Sequence, residues 1–278
     1  MSSDRAFNLS IDLSYFCDVQ YKAIEMIVLL SPAKSLNFEP DVQATRSQPR
    51  FKNETWNLAS KMKTKKAKDL RDMMSISQKL ADLNVARYHA FTKSHNRDNS
   101  KQAIFAFTGD VYQGLQADKF TRKDLEFAQD HVRILSGLYG ALRPLDVIQP
   151  YRLEMGTKLK TDKGKDLYDF WGESVTRLIN KDLKNSPTKA VINLASQEYC
   201  KVIKPEVLDA KIYDIDFREW RDGKFKFISF NAKKARGFMT HYIVKNKVTN
   251  PEKVKGFNLE GYTFNEELSS DTSWSFTR

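Results

Sequence analysis

The sequence predicts an α/β fold, with a mixed α+β arrangement as its variant: a central, mostly parallel sheet flanked by helices and completed by a C-terminal antiparallel hairpin. Three observations predict it. Short apolar runs at 27–30, 103–107, 132–135 and 191–194 are too short for helices and mostly rich in β-branched or aromatic residues, as buried strands are. Between and beside them, residues 55–62, 75–91, 121–131 and 165–183 space their apolar side chains three and four apart, the period of a helix with one buried face. After Ala210 the rhythm changes. Segments 212–217 and 225–230 flank Arg221, Asp222 and Gly223, and an Asp-Gly pair supplies the positive φ angles that a two-residue hairpin turn requires.

Met26 opens directly onto the run IVLL, which stops at Ser31 and Pro32 and reads as the first inner strand. Thr121 and Asp124 have the spacing of a capping box, so a helix should begin there. Downstream of the hairpin a helix is expected over 232–248 and a strand over 257–264, followed by a polar tail over 265–278. Residues 1–25 mix charged, polar and apolar side chains without a period and read as an extension dispensable for folding. With no internal repeat and no low-complexity linker, 26–264 is expected to be one domain.

Of the 278 residues, 41% are hydrophobic and 12% aromatic, enough for a substantial core and too much for a disordered chain. A net charge of +11 and a pI near 9.4 favour phosphate-bearing partners held in a salt-sensitive way, DNA first; a merely solubilising basic surface is the plainer reading of charge alone. Cys17 and Cys200 lie too far apart in sequence to suggest a CxxC pair, and two cysteines make no disulfide framework, which suits a reducing cytoplasm. No apolar run approaches the roughly 20 residues that span a bilayer, so no membrane partner is expected. His89, His95, His131 and His241 share no ligand spacing, and no Walker loop, GxGxxG or GxSxG elbow is present. No metal and no cofactor is expected.

The run HVRILSGLYGALRPLDVIQPYRLEMG at 131–156 has a composition that packing alone would not ask for. Arg133, Arg143 and Arg152 alternate with Gly137, Gly140, Pro144 and Pro150, which constrain the backbone around three candidate phosphate ligands. The alternative for Arg143 and Arg152 is that they pair with Asp146 and Glu154 and brace the loop. Each expected inner strand also ends in a small or polar cluster: Ser31 to Lys34, Thr108 to Asp110, Ser136 with Gly137, and Ala195 to Tyr199. In parallel α/β sheets ligands bind beyond the carboxyl ends of the strands, so these clusters are expected to share one crevice. There Lys34 would contact phosphate, Asp110 and Glu198 are the catalytic candidates if chemistry occurs, and Tyr112 and Tyr199 are the base-stacking candidates. The segment AKKARG at 232–237 adds Lys233, Lys234 and Arg236 near a helix start, where cations are disfavoured unless an anion joins them. The basic run KMKTKKAKDLR at 61–71 reads as a solvated helix face.

With these residues laid out, the chain resembles the YaaA family of bacterial peroxide-stress proteins, also called DUF328 or UPF0246. The resemblance rests on SPAK at 31–34, ISQKLADLN at 76–84, AFTGDVYQGL at 106–115, LSGLYGALRPLD at 135–146, QPYRLEMG at 149–156, KDLYDFW at 165–171, VINLAS at 191–196, ISFNAKKARG at 228–237 and FNLEGY at 257–262. It implies a cytoplasmic protein of the hydrogen peroxide response that limits oxidative damage to DNA and proteins by keeping unincorporated iron low. It also implies DNA binding, duplex or locally unpaired, through a basic cleft and a helix-hairpin-helix element, for which GLYG at 137–140 is the local candidate, and a fold of unusual topology. It carries no accepted catalytic mechanism. The alternative reading is an enzyme that acts on a nucleotide or nucleic-acid component in the strand-end crevice; the oligomeric state is left open.

Overall fold

The computed structural model describes residues 24–39 and 42–278, so the proposed extension 1–25 lies almost wholly outside the described residues. The first strand, β1 (Met26–Leu30), is buried at every position. The two-residue β2 (Ser35–Leu36) follows, then three helices, α1 (Lys52–Lys63), α2 (Ala67–Met74) and α3 (Gln78–Ala90). Next come β3 (Lys101–Gln102), α4 (Ala103–Ala106), β4 (Phe107–Thr108), α5 (Asp110–Leu115) and α6 (Arg122–His131). A run of strands, β5 (Val132–Ser136), β6 (Gly140–Leu142) and β7 (Val147–Ile148), precedes α7 (Leu167–Trp171) and α8 (Ser174–Asp182). The chain closes with β8 (Ala190–Leu194), α9 (Gln197–Cys200), β9 (Lys211–Arg221), β10 (Lys224–Lys226), α10 (Ser229–Lys245), β11 (Thr263–Asn265) and β12 (Ser273–Thr277).

The principal sheet has eight strands in the order β11-β12-β9-β8-β1-β5-β6, with β10 paired to β9. The β12-β9, β9-β8, β8-β1 and β1-β5 pairings are parallel, while β6, β10 and β11 join antiparallel. This is the α/β architecture expected from the alternation of apolar runs and helical periods. β1, β5 and β8 are continuous apolar or buried strands because both faces of a central parallel sheet are covered. The hairpin also stands where Asp-Gly placed it: Asp222 and Gly223 take φ of 51° and 78°, and Trp220 pairs with Phe225.

Several elements differ from expectation. Residues 103–106 form a helical turn between two-residue strands that belong to separate small sheets, because a short and wholly buried apolar run carries no period to separate strand from helix. The helix expected over 165–183 breaks at Gly172, whose φ is +48°. GLYG at 137–140 turns β5 into antiparallel β6, so it joins two strands rather than two helices. The strand expected over 257–264 is reduced to β11, which starts at Thr263 after a short 3-10 turn at Leu259–Gly261. Within the expected polar tail, residues 273–277 form β12, seated between β9 and β11 with Trp274 and Phe276 buried. α10 begins at Ser229 rather than Ala232, which moves Lys233, Lys234 and Arg236 into its second turn, away from the positive end of the helix dipole.

Candidate functional site: a basic cleft at the strand ends

β1 and β8 run side by side in the same direction, so Ser31 and Ser196, each just past its strand, emerge as neighbours. Ser31 Oγ accepts the Ser196 backbone N–H at 2.8 Å and donates to Ser196 Oγ at 3.4 Å, fixing the two strand exits to each other. Tyr112, on α5, donates its hydroxyl to the Ser31 carbonyl at 3.1 Å and brings the second cluster alongside. Gly109 makes that approach possible, because its φ of +118° is a conformation a side chain would strain. The result is a pocket of about 360 Å³ lined by Ser31, Lys34, Gly109, Asp110, Ser196 and Glu198, closed on one side by Lys233 and Arg236 from α10.

Two further depressions continue it. One of about 770 Å³ shares Ser196, Glu198, Lys233 and Arg236 and extends over β9 along Asp214, Asp216 and Arg218 to Phe227. Another, of about 300 Å³, shares Lys34 and Ser35 and reaches Arg87 and Arg152 on the far side. Together they form one cleft along the carboxyl ends of the parallel strands, with Lys34, Arg87, Arg218, Lys233 and Arg236 distributed through it.

Three of the four strand-end clusters line this cleft. The fourth does not: Ser136 is fully buried, its hydroxyl 2.6 Å from Tyr151 Oη and accepting the Tyr139 N–H, so it shapes the GLYG turn. Among the expected ligands, Lys34 is 63% exposed and reaches Glu154 at 2.5 Å. Glu154 also takes Arg152 at 3.0 Å, and Arg143 pairs with the fully buried Asp146 at 2.9 Å. Arg143 and Arg152 thus make the carboxylate pairings that a bracing role needs, and Arg152 also lines the cleft. Arg133 is placed elsewhere altogether: it is 2% exposed in β5 and donates to Asp182 at 2.7 Å and to the carbonyls of Gln129 and Val132. Lys234 points along α10 over the Phe238 ring and is not part of the lining.

Glu198 accepts the Gly156 N–H at 2.9 Å and so ties the 149–156 loop to α9. The Asp110 carboxylate, in contrast, has no hydrogen bond or ion pair among the described residues, and Asp110 lines the pocket. Tyr112 and Tyr199 are each 8% exposed; burial raises both hydroxyls well above their usual range, so both stay neutral. Their rings are walls of the pocket and present little open face to a base. The residues that sequence reasoning missed are Arg87 of α3 and those of β9. Asp214, Asp216 and Arg218 recur every second position, the period of one strand face, but from sequence the segment reads only as half of a hairpin.

Arg152 and Arg236 each bury a guanidinium Nε without a hydrogen-bond partner among the described residues, but Arg152 is ion-paired with Glu154, which sets Arg236 apart. It is half-buried, its Nε is shielded from solvent without a hydrogen-bond partner among the described residues, and burial lowers the guanidinium pKa while the nearby Asp216 charge offsets part of that.

Relatives place this chain in a family. The chain is 49% identical over 257 residues to a UPF0246 protein of Cupriavidus metallidurans, covering 91% of this chain and 98% of that one. It is 48% identical over 256 residues to one of Saccharophagus degradans, covering 91% and 99%, and 47% identical over 254 residues to one of Bordetella pertussis, with the same coverage. The sequence model of the family described as peroxide stress protein YaaA matches residues 26–268, from the first residue of β1 past the end of β11, and the chain belongs to that family.

Proposed function

We propose that this peroxide stress protein binds DNA in the strand-end cleft, holding phosphates with Lys34, Lys233 and Arg236. Acting in the cytoplasm, it would limit oxidative damage to DNA and proteins by lowering unincorporated iron. Arg236 carries the DNA reading. Its Nε is withdrawn from water without a hydrogen-bonding partner among the described residues, which is costly, and a phosphate offers two acceptor oxygens that the planar guanidinium can engage together. The chain's net charge of +11 adds a sequence-independent attraction. The effect on iron is taken to be indirect, since among the described residues no three His, Cys, Asp or Glu side chains converge as ligands.

The test is anisotropy of a labelled DNA across a salt series. Each phosphate contact removed flattens the plot of log affinity against log salt by about 0.9, so the Lys34→Ala, Lys233→Ala, Arg236→Ala triple variant should lose about 2.7 from the slope. An unchanged slope rejects the cleft. Tight stoichiometric binding of Fe(II) by the purified protein rejects the indirect route to iron. A second reading, an enzyme acting on a nucleotide, is favoured by Asp110, a carboxylate held free in the same pocket as Lys233 and Arg236. It predicts turnover that Asp110→Ala abolishes without changing the melting temperature.

A further inference from the structure

Between 218 and 236 the chain carries seven Lys and Arg residues against two carboxylates, Glu219 and Asp222, a local excess of +5. Four aromatic side chains are interleaved with them, most plainly in Lys224-Phe225-Lys226-Phe227. The fold turns this pattern into a surface. In β9, residues two apart share a face, so Asp216, Arg218 and Trp220 form one row leading out of the cleft, the first two lining its 770 Å³ lobe. Phe225 lies directly across from Trp220 on β10, with ring centroids 5.0 Å apart and planes at 75°. Phe227, two residues on, lines the same lobe as Lys233 and Arg236. Phe230 follows on the first turn of α10.

Three of these four rings are open to solvent, and Phe225 is partly buried beside Trp220. Trp220 is 57% exposed, Phe227 53% and Phe230 57%, whereas Trp171 and Trp274 are 1% exposed. Large apolar side chains left open beside a groove that presents Lys233 and Arg236 have the two elements that recognise unpaired nucleic acid: ring faces for bases and cations for the backbone. Duplex DNA keeps its bases stacked on one another, so it can use the cations but not the rings.

We propose that the Trp220, Phe225 and Phe227 strip is a stacking platform for unpaired bases of single-stranded DNA whose phosphates enter the cleft. The chain therefore discriminates unpaired from paired DNA at this strip. The inference rests on the phosphate-binding reading of the cleft and adds the class of DNA that it takes.

The experiment compares the full chain on a thymidine 20-mer, an abasic 20-mer with the same phosphates, a 20-base-pair duplex and a uridine 20-mer. The thymidine strand should bind more tightly than the other three and quench tryptophan fluorescence, which the abasic strand should not do. Trp220→Ala and Phe227→Ala should each weaken thymidine binding about tenfold while leaving the abasic strand within twofold. Phe227→Leu, which keeps apolar bulk and loses the ring, should behave as Phe227→Ala does with an unchanged melting temperature. Equal affinity for thymidine and abasic strands, tighter binding of duplex or of the uridine strand, or aromatic variants that weaken all DNAs alike would overturn the platform. So would sedimentation showing that the strip covers a second copy, with a dimer lost in Trp220→Ala and DNA affinity unchanged. If the abasic strand and duplex bind with a salt slope that the Lys34, Lys233, Arg236 variant flattens, while the aromatic variants change nothing, only the platform falls. If no DNA binds at all, the cleft reading falls with it.

Discussion

At the scale of single residues, Arg133 shows how much an arginine's role depends on where the fold puts it. Its place in a Gly- and Pro-rich run suggested a phosphate ligand, yet β5 carries it inside, where it and Arg50 clamp Asp182 from two sides at 2.7 Å. Burial by itself would raise the Asp182 pKa, but the two guanidinium groups outweigh it and lower the carboxyl. Asp182→Asn leaves two arginines in the interior without a counter-charge and is expected to cost about 3–5 kcal/mol, measured by urea unfolding. A loss below 1 kcal/mol would mean that water reaches the pair. Glu219, in β9, behaves similarly. It is 3% exposed and accepts from Arg221, Arg278, Tyr262 and Asn231 at 2.6 to 3.2 Å. Burial raises its pKa, and these four partners bring it down from 4.5 to about 2. A depressed carboxylate contributes stability that is present above the unfolded-state value and lost as pH falls through the folded one. The wild type should therefore lose stability between pH 4.5 and about 2 more steeply than Glu219→Gln, as followed by thermal melts across that range.

At the scale of elements, the cleft depends on how closely α5 and α10 approach, since α5 carries Asp110 and α10 carries Lys233 and Arg236. Two glycines set that distance: a Cβ on Gly114 would lie 2.1 Å from the Lys234 carbonyl oxygen, and one on Gly237 1.9 Å from that of Val111. Both obstacles are backbone, so the helices would have to separate. Gly237→Ala should cost about 3 kcal/mol, the upper range for overpacking, and should weaken DNA binding by shifting Arg236. A variant that keeps both its melting temperature and its affinity would show the contact to be slack. Elements with a local signal were the ones legible in the sequence. Thr121 and Asp124 do form the capping box that starts α6, with bonds of 3.2 and 2.9 Å, and Asp124 also binds Lys245 at 2.8 Å and Lys247, so the cap ties α6 to the end of α10. The α5–α10 approach was not legible. Neither glycine has a positive φ, and the need for each arises only from a helix more than 100 residues away.

At the scale of the whole molecule the same division holds. β1 and β8 announce themselves as unbroken apolar runs because the middle of a parallel sheet is covered on both faces, and once they are parallel neighbours the strand-end cleft follows from their polar exits. β12 gave no such signal. Its sequence, Ser-Trp-Ser-Phe-Thr, is short and sits among Ser, Asp and Glu residues, and its parallel partner β9 lies about 60 residues earlier, so only the assembled sheet shows where it belongs. Its position has an energetic consequence. Trp274 and Phe276 are 1% and 0% exposed, packed against Tyr213, Phe217, Phe257 and Phe264, and Arg278 supplies one side of the Glu219 cluster. Losing two buried aromatics costs about 3–5 kcal/mol each, against a total stability of about 5–15 kcal/mol for a typical domain. β11 would also lose its only sheet neighbour among the described strands, and β9 would become an edge. A chain ending at Ser270 is therefore expected to lack a cooperative thermal transition, while the milder Arg278→Ala variant should retain one with a lower midpoint that recovers less at high pH than at low. A truncated chain that melts cooperatively within a few degrees of the full one would mean that residues 271–278 contribute nothing to the sheet and return them to the polar tail that their composition suggests.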